Sequence, residues 1–249
     1  MKRWILLLYG GISYLLFLAT IAYGVAFFGN LFVPRTIDAI AGVPLGAALP
    51  VNIGLLLLFA LQHSGMARPA FKWWIADKVP PRAVRSTYVL MSSLTLILIM
   101  ILWQPMGGVI WQVDNALAKQ LITMLYFVGW CLMIWATFLL DHFEMFGIRQ
   151  VWCEFRGRVC VEPAFATPAA YRFMRHPIYT GWLIVFWASP TMTASHLVLA
   201  VGMTAYTLMG IRLEERDLVR RLPCYAQYRR KVPMLLPSLR KRLLGSADS

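Results

Sequence analysis

The sequence predicts an all-α, polytopic membrane protein of about five to six transmembrane helices that ends in a helical hairpin, and three observations lead there. Apolar residues make up 59% of the 249, with a mean hydropathy of +0.63, beyond the range of a soluble domain. Several apolar runs reach the roughly 18 residues needed to cross a bilayer. All of the 24 lysines and arginines except Arg35 and Lys119 fall on one side of the predicted spans. The positive-inside rule then places the N-terminus, the second and fourth loops and the C-terminus on the cytoplasmic side. Topology and attraction to anionic membrane lipid account for the formal charge of +13, so a nucleic-acid partner is not needed. No long polar linker divides residues 1–249, which read as a single integral membrane domain.

The first span, about Ile5–Phe28, has an apolar run too long for a signal-peptide core and no cleavage site, so it is read as retained. Asn30, Pro34 and Gly42 to Pro44 make an outside loop. The second span, about Leu49–His63, ends on the cytoplasmic side at Gln62, His63 and Ser64. In GMARPAFKWWIADKVPPRAVRS, Trp73 and Trp74 stand beside Lys72 and Lys78, a composition that suits an amphipathic helix at headgroup level. Pro80 and Pro81 are expected to end it, and an anchoring role is favoured over a lid. The third span, about Thr87–Trp103, and the loop QPMGGVIWQVDNALAK offer no chemistry.

The fourth span, about Leu121–Leu140, does. Its exit DHFEMFGIRQVW crowds Asp141, His142, Glu144, Arg149 and Gln150 at a depth where ionisable groups need partners or water, with Gly147 as a chain break. Ordinary helix-end polarity, with His142 and Arg149 complementing the dipole, explains part of this equally well. The last apolar stretch, Gly181–Met209, is interrupted by Ser189, Pro190 and Thr191 to Ser195, the pattern of a hairpin turning near the outer face. Beyond it Ile211, Glu215, Leu218 and Leu222 recur at i, i+4, i+7 and i+11, so Glu215 interrupts an apolar stripe and requires a partner. Glu214 fits a solvated position. The hairpin brings Arg175, His176, Pro177 and Tyr179 to the same face as Glu214 and Glu215.

Three of the four histidines, His63, His142 and His176, fall at cytoplasmic span ends, while His196 lies near the outer turn. A transmembrane b-type haem would need two facing histidines within helices. Three at one interface fit a site open to a cytosolic ligand, and His196 reads as a satisfied interfacial side chain. Cys131 falls in a span, and Cys153, Cys160 and Cys224 face a reducing compartment, so free thiols are expected. Cys153 and Cys160 lack C-x-x-C spacing and a neighbouring histidine pair, and no metal site is assigned.

RHPIYTGW, followed about thirty residues later by EERDL and then by YAQYRRKVP, resembles the C-terminal signature of the isoprenylcysteine carboxyl methyltransferase and phospholipid methyltransferase superfamily. YGGISYLLFL, FFGNLFVPRTID, LFALQHSGMARPAFKWW, VRSTYVL and DHFEMFGIRQVW extend the resemblance along almost the whole chain, to the methanethiol S-methyltransferase family and its NnrU-type kin. The resemblance implies S-adenosylmethionine as methyl donor, bound in a pocket on the cytoplasmic side, and methanethiol, a small volatile thiol, as the acceptor that becomes dimethyl sulfide. It carries Arg175, His176, Pro177, Tyr179 and Gly181 onto the family's RHPxYxG element, and Glu214 and Glu215 onto its acidic pair. Carboxylates suit the donor's ammonium and ribose hydroxyls, and Arg175 or His176 suits its carboxylate. Gly181 admits either the cofactor or a neighbouring helix. Arg149 and Gln150 are assigned to the same cofactor site. Residues 1–140 then form a four-helix frame, 141–237 the cofactor-binding and catalytic part, and 238–249 a basic tail.

An alkanethiol is mostly protonated at neutral pH if a cysteine thiol, at about 8.5, is the guide, so a proton acceptor is required. His142 or His63 is expected to serve, directly or through water, with Glu144 orienting the base. Two other readings stay open: a methyltransferase for a larger lipid or prenyl thiol or carboxylate, and a non-enzymatic NnrU-like accessory protein of nitrogen-oxide respiration.

Overall fold

The computed structural model describes residues 2–161 and 165–237, and the expected basic tail lies outside them. The chain runs from α1 (Lys2–Phe28) through α2 (Leu45–Ala67) and the short α3 (Pro69–Ile75) to α4 (Val84–Leu102), and a strand β1 (Val109–Gln112) leads into α5 (Ala116–Leu139). Two short helices, α6 (His142–Met145) and α7 (Ile148–Arg156), precede α8 (Pro177–Trp187), β2 (Thr191–Thr193), α9 (Ala194–Arg221) and α10 (Pro223–Lys231). α1, α2, α4, α5 and α9 are long and apolar enough to cross a membrane, the first four as their hydrophobic runs predict and α9 as the longer arm of the expected hairpin. The protein is an integral membrane protein.

The helices pack as neighbours in the order α7, α1, α4, α2, α9, α8 and α5. The Tyr126 hydroxyl closes the circuit, donating from α5 to the Val25 carbonyl of α1 at 2.6 Å. A core of Phe27, Phe28, Trp103, Trp130 and Phe186 fills the bundle toward the end opposite the basic loops. At that end Asn52 donates to the Gln104 carbonyl at 2.7 Å and Trp103 to Ser195 Oγ at 2.8 Å. His196, fully buried, contacts Asp38 at 3.3 Å and the Phe186 carbonyl at 3.0 Å, the satisfied role expected of it.

The C-terminal hairpin is present, but its two arms differ. α8 has 11 residues, about 16 Å of rise and so only half of a ~30 Å hydrocarbon core. Past Trp187 the chain leaves the helix, and a backbone at membrane depth finds no hydrogen-bond partners in lipid. Protein supplies them instead: β2 pairs antiparallel with β1, Val113 N–H donates to the Pro190 carbonyl at 3.0 Å, and Trp111 Nε1 donates to the Ser189 carbonyl at 3.2 Å. The outer loop that showed no chemistry in sequence is thus the structural partner of the hairpin turn. α9, with 28 residues, is about 42 Å long and projects past the hydrocarbon as one unbroken helix.

α8 lies against α5 because both carry glycine at the crossing. A Cβ on Gly181 would stand 2.6 Å from the Gly129 carbonyl oxygen and 2.8 Å from Met133 Cβ. Of the two uses expected for Gly181, the close approach of a helix is the one observed. α3 departs from expectation in its end point: it stops at Ile75, ahead of Pro80 and Pro81, where the Ala76 and Lys78 amides turn back onto the Trp73 and Ile75 carbonyls. The Lys78 ammonium then lies 3.4 Å over the Trp74 ring, and Trp73 is left 82% exposed.

Candidate active site

The two polar clusters that flank the hairpin in sequence meet at the basic end. Pro177 opens α8 at its first turn and needs no amide donor there, which leaves Arg175 and His176 on the chain just before the helix. Glu215 faces inward from α9 and is 5% exposed. Arg175 Nε donates to Glu215 Oε1 at 2.6 Å, His176 Nε2 lies 3.0 Å from the same oxygen, and Arg229 Nε sits 3.2 Å from Oε2. The partner that the apolar stripe demanded for Glu215 is therefore this set of three.

The same residues hold down the chain after α10. Arg175 N–H donates to the Pro233 carbonyl at 2.9 Å, His176 N–H to Met234 at 3.1 Å, and Thr180 Oγ1 to Leu235 at 2.8 Å. The Arg175 guanidinium also donates to the Arg229 and Val232 carbonyls. Burial pushes the Tyr228 phenol up to about 12, so it remains a donor, to the Tyr171 carbonyl at 2.6 Å. Arg175, His176 and Glu215 thus form a buried latch.

A second cluster occupies the space between α2, α4, α8 and α9. The Tyr88 hydroxyl lies 2.7 Å from His63 Nε2, and His63 Nδ1 lies 3.1 Å from Ser92 Oγ. Ser64 Oγ and the Tyr206 hydroxyl are 3.2 Å apart, and Tyr179 donates to Glu214 Oε2 at 2.9 Å. Tyr88, Tyr179, Tyr206 and Glu214 are close enough to act on one another electrostatically. Beside Ser92, Gln62 Oε1 is buried without a hydrogen-bond partner. The third span, expected to carry no chemistry, supplies Tyr88 and Ser92 to these hydrogen bonds, because the polar groups of one apolar helix find partners only on the next.

The remaining predicted residues gather elsewhere. His142 sits on the α1 side of α5, stacked on Phe138 at 4.2 Å between ring centroids, beside an apolar groove of about 190 Å³. Thr137 Oγ1 spends its own proton on the Ile134 carbonyl at 2.6 Å, so at 2.7 Å it accepts from His142 Nδ1. His142 Nε2 then accepts from the Tyr14 hydroxyl at 2.8 Å. Burial holds the His142 imidazole below its ordinary value, against an opposing pull from Asp141. Arg149 pairs with Asp141 and, at 3.4 Å, with Glu144, while Gln150 Nε2 donates to the Glu144 carbonyl at 3.1 Å. Glu144 therefore orients neither histidine. Gly147 is the expected break: its φ is +85°, and a Cβ there would lie 2.8 Å from the Ser86 amide nitrogen.

The sequence model of the NnrU protein family matches residues 51–237. The chain belongs to the NnrU family. It is 45% identical over 238 residues to the methanethiol S-methyltransferase of Mycobacterium tuberculosis, covering 95% of this chain and 98% of that protein. The methanethiol S-methyltransferase of Crocosphaera subtropica is 45% identical over 243 residues, 97% of this chain and 95% of the relative. Nurim of Xenopus laevis is more distant, at 32% over 188 residues, 72% of this chain and 66% of its own. No solved structure matches. The stretch matched to the NnrU family contains the latch and the His63–Tyr88–Tyr179–Glu214 cluster, and stops short of Tyr14, the partner of His142.

Proposed function

We propose that this protein methylates methanethiol to dimethyl sulfide with S-adenosylmethionine, in the polar cluster at its basic end. By the positive-inside rule that end and both termini face the cytoplasm of a bacterial inner membrane. The near-full-length similarity to relatives named for this reaction is the observation that carries the proposal.

The residues present fit the donor. Glu214 is exposed and engages Tyr179 through one oxygen, which leaves acceptor capacity for an ammonium or ribose hydroxyl. The aromatic rings of Tyr88, Tyr179 and Tyr206 suit a cationic sulfur, and the free acceptor of Gln62 suits a further donor group. Arg175, His176, Pro177, Gly181 and Glu215 contribute by fixing the frame that presents Tyr179 and Glu214. Arg149 and Gln150, engaged with Asp141 and Glu144 in the α6–α7 segment, are left out of the donor site in this reading.

When bound, S-adenosylmethionine supplies an electrophilic methyl group on a positively charged sulfur. The chain's part is to align the thiol, remove its proton and exclude water. Sulfonium and thiolate neutralise one another as the methyl moves, so a weakly polar surround raises the separated charges more than the transition state. We assign the proton to His63, because its Tyr88 partner stands in the cluster with Tyr179 and Glu214, whereas His142 lies on the far side of α5 with Tyr14 and Thr137. Purified protein in lipid, given S-adenosylmethionine and methanethiol, is expected to release dimethyl sulfide into the headspace. Absence of dimethyl sulfide from protein that still binds the donor overturns the proposal.

A further inference from the structure

We infer that Tyr88 is the residue that meets the acceptor thiol and passes its proton to His63, a role that rests on the methyl-transfer reading above. The argument begins with the surroundings of His63. Its ring stacks on Phe59 at 5.0 Å between centroids, and the rings of Tyr88 and Tyr206 lie at 5.0 and 6.4 Å. One ring nitrogen is taken by Ser92 and the other by Tyr88. No nitrogen is left for a thiol, so a proton reaches His63 only through Ser92 Oγ or the Tyr88 oxygen, and of these it is Tyr88 that stands with Tyr179, Tyr206 and Glu214.

The proton inventory permits this. With Nδ1–H donating to Ser92 Oγ, which also lies 3.4 Å from the Gln62 amide, His63 Nε2 is a free lone pair that accepts the Tyr88 hydroxyl. The thiol S–H bond breaks, its proton goes to the Tyr88 oxygen, and the phenolic proton moves to Nε2. The sulfur's electron pair forms the new S–C bond, while the pair of the broken C–S bond stays with the donor sulfur as a thioether. His63 leaves the cycle as an imidazolium and returns its proton to solvent. The groups facing this relay are Ser64 from α2, Arg85 and Ser92 from α4, Tyr179 from α8, and Tyr206 and Glu214 from α9. The Arg85 guanidinium lies 5.8 Å from the Tyr88 ring centroid, where its charge favours a transiently anionic phenol oxygen.

The test uses full-length protein in lipid and a series of thiols that differ in acidity: methanethiol, trifluoroethanethiol and thiophenol. Removing a general base costs about 100-fold or more when the proton must be moved, and little when the thiol is already ionised. Tyr88→Phe is therefore expected to lose about that factor with methanethiol, with the loss shrinking to about threefold or less for the most acidic thiol. Binding of S-adenosylhomocysteine, measured by calorimetry, should stay within about twofold of the parent protein. His63→Gln, which keeps an acceptor for the Tyr88 hydroxyl but takes no proton at neutral pH, should show the same pattern. An equal loss with every thiol, or no loss with methanethiol, overturns the role of Tyr88. Should Tyr88→Phe lose S-adenosylhomocysteine binding, His63→Gln decides by the same criterion. If the parent protein binds S-adenosylhomocysteine yet methylates none of the thiols, the methyl-transfer reading itself has failed, which is a distinct result.

Discussion

Arg175 and Glu215, 40 residues apart in the chain, form a buried ion pair with Nε 2.6 Å from Oε1. The pair joins the entrance of α8 to the exit of α9 and turns the interrupted hydrophobic segment into a closed hairpin. His176 and Arg229 share the carboxylate, so its charge is met on both oxygens.

Arg175→Met leaves Glu215 with His176 and Arg229 but strips the donor from the Arg229 and Val232 carbonyls, and is expected to destabilise the protein by about 1–3 kcal/mol. Glu215→Leu strands the buried Arg175 charge and is expected to cost more, about 3–5 kcal/mol. Reversible unfolding in detergent, followed by tryptophan fluorescence, measures both. A single variant as stable as the parent would remove the latch from the account.

The glycine contact between α5 and α8 makes a sharper distinction. Gly181→Ala drives a methyl group into the Gly129 carbonyl and is expected to cost about 1–3 kcal/mol or more. Gly210→Ala on α9 meets nothing within 4 Å and is expected to gain about 0.4–1 kcal/mol from a stiffer unfolded chain. Thermal unfolding of the two variants side by side should give opposite signs.

Acid should weaken the His142 corner. Burial lowers the folded-state value of His142, so the unfolded chain takes up its proton first as pH falls. The stability this buried neutral ring provides is complete above about pH 6.5 and is lost as pH drops toward the lower folded value. Unfolding midpoints from about pH 8 to about pH 5 should fall for the parent protein. They should change less for His142→Asn, which starts lower and has no imidazole to titrate. An identical slope in both would assign the acid sensitivity to another group.

The spans were legible in the sequence because an apolar run of sufficient length has few alternatives to crossing a bilayer. Glu215 was legible as inward-facing because it broke a helical stripe, and Gly147 because it stood between two polar segments at a helix exit. Tyr88 and Ser92 were not: inside an apolar helix they look like tolerated polarity, and only the packing of α4 on α2 puts them on His63. The same stripe set Glu214 apart as solvated, since adjacent carboxylates point about 100° apart on a helix; what the stripe did not show is that Glu214 meets Tyr179, which depends on where α8 lies. The strand in the hairpin turn was hidden for the same reason, since its partner is a loop about eighty residues away.

The central claim is that Glu214, brought beside Tyr179 by the hairpin, holds the methyl donor. Equilibrium binding of S-adenosylhomocysteine tests it without relying on turnover. The account predicts measurable binding by the parent protein and by Glu154→Gln on the surface, and binding weaker by about 10- to 100-fold in Glu214→Gln, the loss of one charge-assisted hydrogen bond. Undiminished binding by Glu214→Gln would contradict it.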